Sequence, residues 1–313
     1  MQQPTGFGSG RLLVVAFEGW NDAGEAASSA ARLLAERLDL VEIMAIDPEL
    51  YYDYQFNRPT VVTGDDGARR IEWPGAALLG PGPASPDGPD SVTGPGAPGL
   101  HVLLGAEPAR SWKSFAAELI DAALAADIQA IVFLGAMLAD APHTRPLMVF
   151  ASSDNPDVRH GLGVERSTYE GPVGILSVLA DQAERAGIPT VSLWASVPHY
   201  VHNAPSPKAV LALLAKLEEL TGLSIPRGSL EVDAAAWEAG VDALAADDDE
   251  MAGYITQLEQ ARDAVDAPEA SGEAIAREFE RYLRRRGDGR PGDGRADGRP
   301  GPGGDEPWRP RES

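Results

Sequence analysis

The stretch 11-RLLVVAFEGWNDAGEAASSAARLLAERL-38 decides the fold. Leu12, Leu13, Val14, Val15, Ala16 and Phe17 are apolar without alternation, the pattern of a strand covered on both faces, as in a parallel sheet. An amphipathic helical pattern ends the stretch. Between the two, Glu18-Gly19-Trp20-Asn21-Asp22-Ala23-Gly24-Glu25 gathers three acids, an amide, an indole and two glycines. A turn in this place lies at the carboxyl end of a parallel strand, where open α/β sheets build their sites. Asp22 with Glu25 three residues later reads as a capping box. Capping needs neither Glu18 nor Trp20, and a carboxylate directly after a buried strand is costly unless paired or wetted. Glu18, Trp20, Asn21 and Asp22 are therefore candidates for a ligand or partner site.

Two later turns repeat the arrangement. The apolar run from Gln129 to Leu134 leads into a polar turn ending Pro142-His143-Thr144-Arg145-Pro146. His143 and Arg145 offer a donor and a fixed cation suited to a carboxylate or phosphate. The structural reading is that Arg145 pairs with Glu18 or Asp22 across the sheet edge. After the strand Thr190 to Ala195 comes Ser196-Val197-Pro198-His199-Tyr200. His199 and Tyr200 fit an acid or base with its hydrogen-bonding neighbour, or a purely structural donor. Ser206 as cap and Pro207 at the first helical position then open another helix.

Around this core the chain reads as an α/β domain over residues 1–227, an acidic helical appendage over 228–286 and a disordered tail over 287–313. Val41 to Ile46 is a second strand, and Pro59 to Thr63 with Arg69 to Trp73 form a hairpin. Tyr51-Tyr52-Asp53-Tyr54 reads either as a contact surface or as packing over the sheet. Twelve of the twenty residues from Gly80 to Gly99 are Gly or Pro, so a mobile insertion is expected over about residues 75–99. The appendage patterns as helices over Leu230 to Leu244, Asp247 to Val265 and Ser271 to Arg286. Twelve acids against one base between Glu231 and Ala270 predict a solvated helical surface.

The net charge of -22 repels a nucleic-acid backbone. Cysteine is absent, which excludes disulfides, thiolate metal sites and cysteine nucleophiles. The start, MQQPTGFGSGR, lacks a signal-peptide pattern and no apolar run reaches membrane-spanning length, so a soluble cytoplasmic protein is expected, with no membrane partner. There is no phosphate-cradling glycine loop, no Gly-x-Ser-x-Gly turn and no metal spacing among the five histidines. No cofactor and no metal are expected.

Four motifs in order carry a resemblance: Phe17-Glu18-Gly19-Trp20-Asn21-Asp22-Ala23-Gly24, Pro142-His143-Thr144-Arg145-Pro146, Tyr169-Glu170-Gly171-Pro172, and Val197-Pro198-His199-Tyr200 through Pro205-Ser206-Pro207-Lys208-Ala209. Together they resemble the PAC2 family, named for a proteasome assembly chaperone, and its actinobacterial branch in particular. The resemblance implies a three-layer α/β/α sandwich similar to the nucleoside phosphorylase and hydrolase-like fold, with a helical C-terminal part. It also implies self-association into a homo-oligomer, a trimer being one such arrangement, and a non-enzymatic role in binding or assembling another protein complex. The alternative is a small-molecule-binding protein or a hydrolase or phosphorylase-like enzyme using the carboxyl edge of the sheet. No catalytic residue carries over from the family.

Overall fold

The computed structural model describes residues 7–8, 10–64, 66–82, 92–94 and 97–266. Two compact units divide the chain, Met1–Arg262 and Asp263–Ser313. Of the second unit only residues 263–266 are described, so the helix expected at Ser271 to Arg286 and the tail over 287–313 lie outside the described residues.

Nine strands are described: β1 (Leu12–Glu18), β2 (Leu40–Ala45), β3 (Thr60–Thr63), β4 (Arg69–Glu72), β5 (Ala76–Pro81), β6 (His101–Ala106), β7 (Ala130–Ala139), β8 (Val149–Ser152) and β9 (Thr190–Pro198). The helices are α1 (Ala26–Arg37), α2 (Pro48–Tyr51), α3 (Trp112–Ala125), α4 (Pro156–Leu162), α5 (Ile175–Arg185), α6 (Pro207–Thr221), α7 (Leu230–Ala246) and α8 (Asp249–Asp266). Seven strands form one sheet in the order β2-β5-β6-β1-β7-β9-β8, while β3 and β4 make a separate hairpin. The four central strands run parallel; β5 is antiparallel to β2 and β6, and β8 is antiparallel to β9.

The lack of alternation in β1 now has its cause. Leu12, Val14 and Ala16 point to one side of the sheet, where they meet Leu34 of α1 and Leu213, Leu214 and Leu217 of α6. Leu13, Val15 and Phe17 point to the other, against Phe115 and Leu119 of α3 and Ile175 and Leu179 of α5. Side chains alternate across a strand, so a sheet with helices on both faces needs apolar residues at every position. The result is a three-layer α/β/α sandwich with a helical C-terminal part.

Two expectations are corrected, and of the two readings of the tyrosine loop one holds. The Gly/Pro-rich insertion does not begin near residue 75, because Ala76–Pro81 is a strand with Ala76 and Leu78 buried in the core. Val92 and Ala97 are also buried, and Thr93 bridges Ser224; residues 83–91 and 95–96 of the insertion lie outside the described residues. The tyrosine loop is packing. Tyr51 and Tyr52 are buried, the Tyr51 ring sits edge-on to Phe115 at 5.1 Å, and the two hydroxyls donate to Glu118 Oε2 at 2.7 Å and to Ala106 O at 2.8 Å. The capping box at Asp22 and Glu25 does not form as such. Asp22 Oδ1 accepts from Ala27 N at 2.7 Å and Ser28 N at 3.2 Å, while Glu25 itself takes the N-cap position with φ at 50°.

Candidate functional site

The β1–α1 turn is built as a strut. Asn21 is 1% exposed, and its Nδ2 donates to Glu107 Oε1 at 3.1 Å. The same oxygen accepts from Ile175 N at 2.8 Å, so Glu107, from the loop after β6, holds the turn and the first residue of α5 together. Asn21 O also accepts from Ala136 N on β7 at 2.8 Å. The packing leaves no spare volume, since a Cβ on Gly174 would stand 2.3 Å from Asn21 Oδ1. Burial pushes the Asp22 carboxyl above its ordinary pKa, opposed by its hydrogen bonds to Ser28 and Ala27 and by the Arg32 charge. Glu18, half-exposed, forms an ion pair with Arg32 of α1. Trp20 has no such employment: it is 75% exposed.

The β7 and β9 turns form a second set. His143 is 1% exposed. The Tyr200 hydroxyl accepts from His143 N at 2.7 Å and lies 2.9 Å from His143 Nδ1, while His143 Nε2 lies 3.0 Å from Asp242 Oδ1 of α7. A hydroxyl has one proton to give, so Tyr200 donates it to Nδ1 and Nε2–H donates to Asp242. Burial raises the Tyr200 hydroxyl to about 12. Arg145 Nη1 reaches Glu259 Oε1 at 3.4 Å, and Thr144 donates to the same carboxylate. His199 Nδ1 is 3.3 Å from Asp140 Oδ1 without a hydrogen bond, and the same oxygen accepts from the Tyr254 hydroxyl at 3.2 Å. Lys208 donates to both His143 O and Glu238.

The eight candidates therefore separate into two sets with different employment. Arg145 does not pair with Glu18 or Asp22 as the sequence suggests; its carboxylate comes from α8, and Glu18 takes Arg32 instead. Nor is the acidic appendage only a solvated surface. Glu238 and Glu259, partly buried, bind Lys208 and Arg145, and Asp242, still exposed, binds His143, because polar groups covered by a helix need partners from that helix. Sequence reasoning missed these three acids and Glu107. Their signal was hidden, since an acid on a helix that faces a cation far away in the chain looks like any solvated acid.

What remains open at the carboxyl edge mixes apolar side chains with charged ones, Asp154, Glu165, Arg166, Asp181 and Glu184 among them. Two clefts, of about 640 Å³ and 570 Å³, share Trp20, Met137 and Trp194 in their walls. Asn21, Phe150, Tyr169 and Val173 line the larger, and Asp22 and Leu138 the smaller. Trp20, Met137, Leu138, Phe150, Tyr169 and Val173 are all exposed. Neither cleft is lined by His143, Arg145, His199 or Tyr200. Among the described residues no group of three or more His, Cys, Asp or Glu side chains is placed to hold a metal ion. No described helix is long and apolar enough to cross a membrane.

Sheet, layers and edge define a three-layer α/β/α protein with a partly apolar rim at the carboxyl ends of its strands. The chain belongs to the PAC2 family, whose model matches residues 16–245. A PAC2 family protein from Streptomyces avermitilis is 44% identical, with a TM-score of 0.68, covering 78% of this chain and 98% of that one. A Mycobacterium tuberculosis proteasome-assembly chaperone homologue is 38% identical, with a TM-score of 0.66, covering 78% of this chain and 99% of that one. An archaeal proteasome activator from Pyrococcus furiosus, 17% identical with a TM-score of 0.55 over 78% of this chain and 96% of that one, shares the fold. Among curated proteins none matches this chain.

Proposed function

We propose that this chain is a non-enzymatic, assembly-chaperone-like protein of the cytoplasm that works as a homo-oligomer and binds another protein complex through the carboxyl edge of its sheet. One observation carries the reading. Of the polar residues that could move protons, His143 and Tyr200 are tied to each other and to α7 by hydrogen bonds, and His199 packs its ring on Tyr200 and Tyr254 with Nδ1 lacking a hydrogen bond, while the exposed side chains at the edge are Trp20, Met137, Leu138 and Phe150. Contiguous exposed apolar groups of this kind mark protein interaction sites. The likeness to a proteasome-assembly chaperone homologue makes α-type proteasome subunits the first partners to test.

The test is binding of purified chain to recombinant α-type subunits by surface plasmon resonance. Wild type binds and Trp20→Ala weakens it at least tenfold. The larger cleft also falls in the size range of small-molecule sites, about 300–1,000 Å³. Absence of subunit binding, together with a metabolite that raises the melting temperature and is turned over, would replace this reading with the enzyme one.

A further inference from the structure

The β3–β4 hairpin is covered by almost nothing. Every strand residue in it except Val62 is exposed. A two-stranded hairpin by itself is marginal in water. Here Val61 and Ile71 stand directly opposite each other, 55% and 57% exposed. Among the described residues β4 pairs only with β3, so its outer edge offers backbone donors and acceptors to another strand.

The sequence of that edge is complementary to itself. Arg69-Arg70-Ile71-Glu72-Trp73, laid antiparallel on a second copy about a two-fold axis at Ile71, sets Arg70 opposite Glu72 of the second copy and Glu72 opposite its Arg70. Arg69 then falls opposite Trp73, a cation over an indole. The Trp73 ring is already held, 4.9 Å from the Tyr54 ring. Ile71 meets Ile71, and the Val61–Ile71 pairs of the two copies join into one apolar stripe. Charge favours this meeting place further. Two copies of a chain with net charge -22 repel over most of their surfaces, whereas this strand lets unlike charges face each other.

We propose that two copies of this chain join by antiparallel pairing of their β4 edges about a two-fold axis at Ile71, forming one four-stranded sheet. The inference rests on the self-association reading above and names its surface. The contact is isologous, so it closes at two copies, and three could not all use it with one another.

The chain has no cysteine, so Ile71→Cys adds a single thiol that faces its own copy. Facing residues of an antiparallel pair have Cα atoms about 4.5–5.5 Å apart, inside the span a disulfide closes. Val61→Cys is the control: it lies one strand further out, about 14 Å from its own copy across three strand spacings. Mild oxidation converts the Ile71→Cys protein to a covalent dimer of twice the monomer mass and leaves the Val61→Cys protein unlinked. In sedimentation velocity, Arg70→Glu and Glu72→Arg each shift the protein to monomer, and the double swap restores the dimer. Wild type sedimenting as monomer at every concentration would overturn both this contact and the self-association reading. Wild type associating while the single swaps change nothing, the double swap failing to restore pairing, or equal cross-linking at both cysteines would overturn the β4 contact alone.

Discussion

His143 Nε2 donates to Asp242 Oδ1 at 3.0 Å, joining the β7 turn to α7 across 99 residues of sequence. With Tyr200 on Nδ1, both ring nitrogens of a buried imidazole are satisfied, and the ring fastens a helix to the sheet edge. His143→Ala removes the fastening, leaves the Tyr200 hydroxyl without its acceptor and opens a void. The expected loss is about 2–3 kcal/mol in urea unfolding. Amide exchange over residues 230–246 should rise with it. Unchanged protection there would mean that α7 is held by its apolar contacts alone.

Asp22 makes stability depend on pH in an unusual direction. Its folded pKa lies above the unfolded value because of burial, so the folded state binds this proton more tightly. The favourable contribution is complete below the unfolded value of 3.8 and is lost as pH rises through the raised folded value. Asp22→Asn keeps an Oδ1 acceptor for Ala27 and Ser28 without titrating. Relative to this variant, wild type should lose stability as pH climbs from about 3 to about 7 in paired urea titrations. A wild type that gains on the variant over that range would reverse the assignment.

Gly174 and Asn21 are in contact tight enough that no side chain fits between them. In Gly174→Ala the new methyl would press on the Asn21 amide and disturb the bond from Asn21 Nδ2 to Glu107. A cost of about 1–3 kcal/mol is expected, read as a lowered denaturant midpoint. Glu107→Ala should cost a similar amount, about 1–3 kcal/mol, by orphaning Asn21 Nδ2 and Ile175 N. Combining the two should cost less than their sum, because both act through Asn21.

Trp20 and Phe17 are three residues apart and should behave as opposites. Phe17 is fully buried beside Phe115, with ring centroids 5.8 Å apart, so Phe17→Ala is expected to cost about 3–5 kcal/mol. Trp20→Ala, at an exposed position, should change stability by no more than about 0.5 kcal/mol while weakening partner binding. Calorimetry of the two variants checks the contrast. A strongly destabilised Trp20→Ala protein would make the indole a structural residue.

Much of the architecture was legible because burial on two faces writes itself into composition. The continuous apolar runs of β1, β7 and β9, and the cap formed by Ser206 and Pro207 at the start of α6, are local signals and start where the sequence places them, although β7 and β9 run on to Ala139 and Pro198, through residues that read as turn. β5 was not legible, since Leu78-Leu79-Gly80-Pro81 runs directly into a Gly/Pro-rich stretch that masks a short strand. β8 was missed because four residues carry too little periodicity to stand out.

The candidate site shows the same division more sharply. Residue types and their places after parallel strands pointed to Trp20, Asn21, His143 and Tyr200, and each does lie at the carboxyl edge. The sequence by itself determined the parallel core of the sheet, its two covered faces and the clustering of polar turns at one end, because all of these follow from the period of side chains along a strand and from the direction of the chain. Only the tertiary structure decided that Asp242, Glu238 and Glu259 would come from distant helices to occupy His143, Lys208 and Arg145, and that Trp20 would stay exposed. Pairing of charges and hydrogen-bonding groups depends on proximity in space, and no local pattern records which of many acids a fold will bring to a partner.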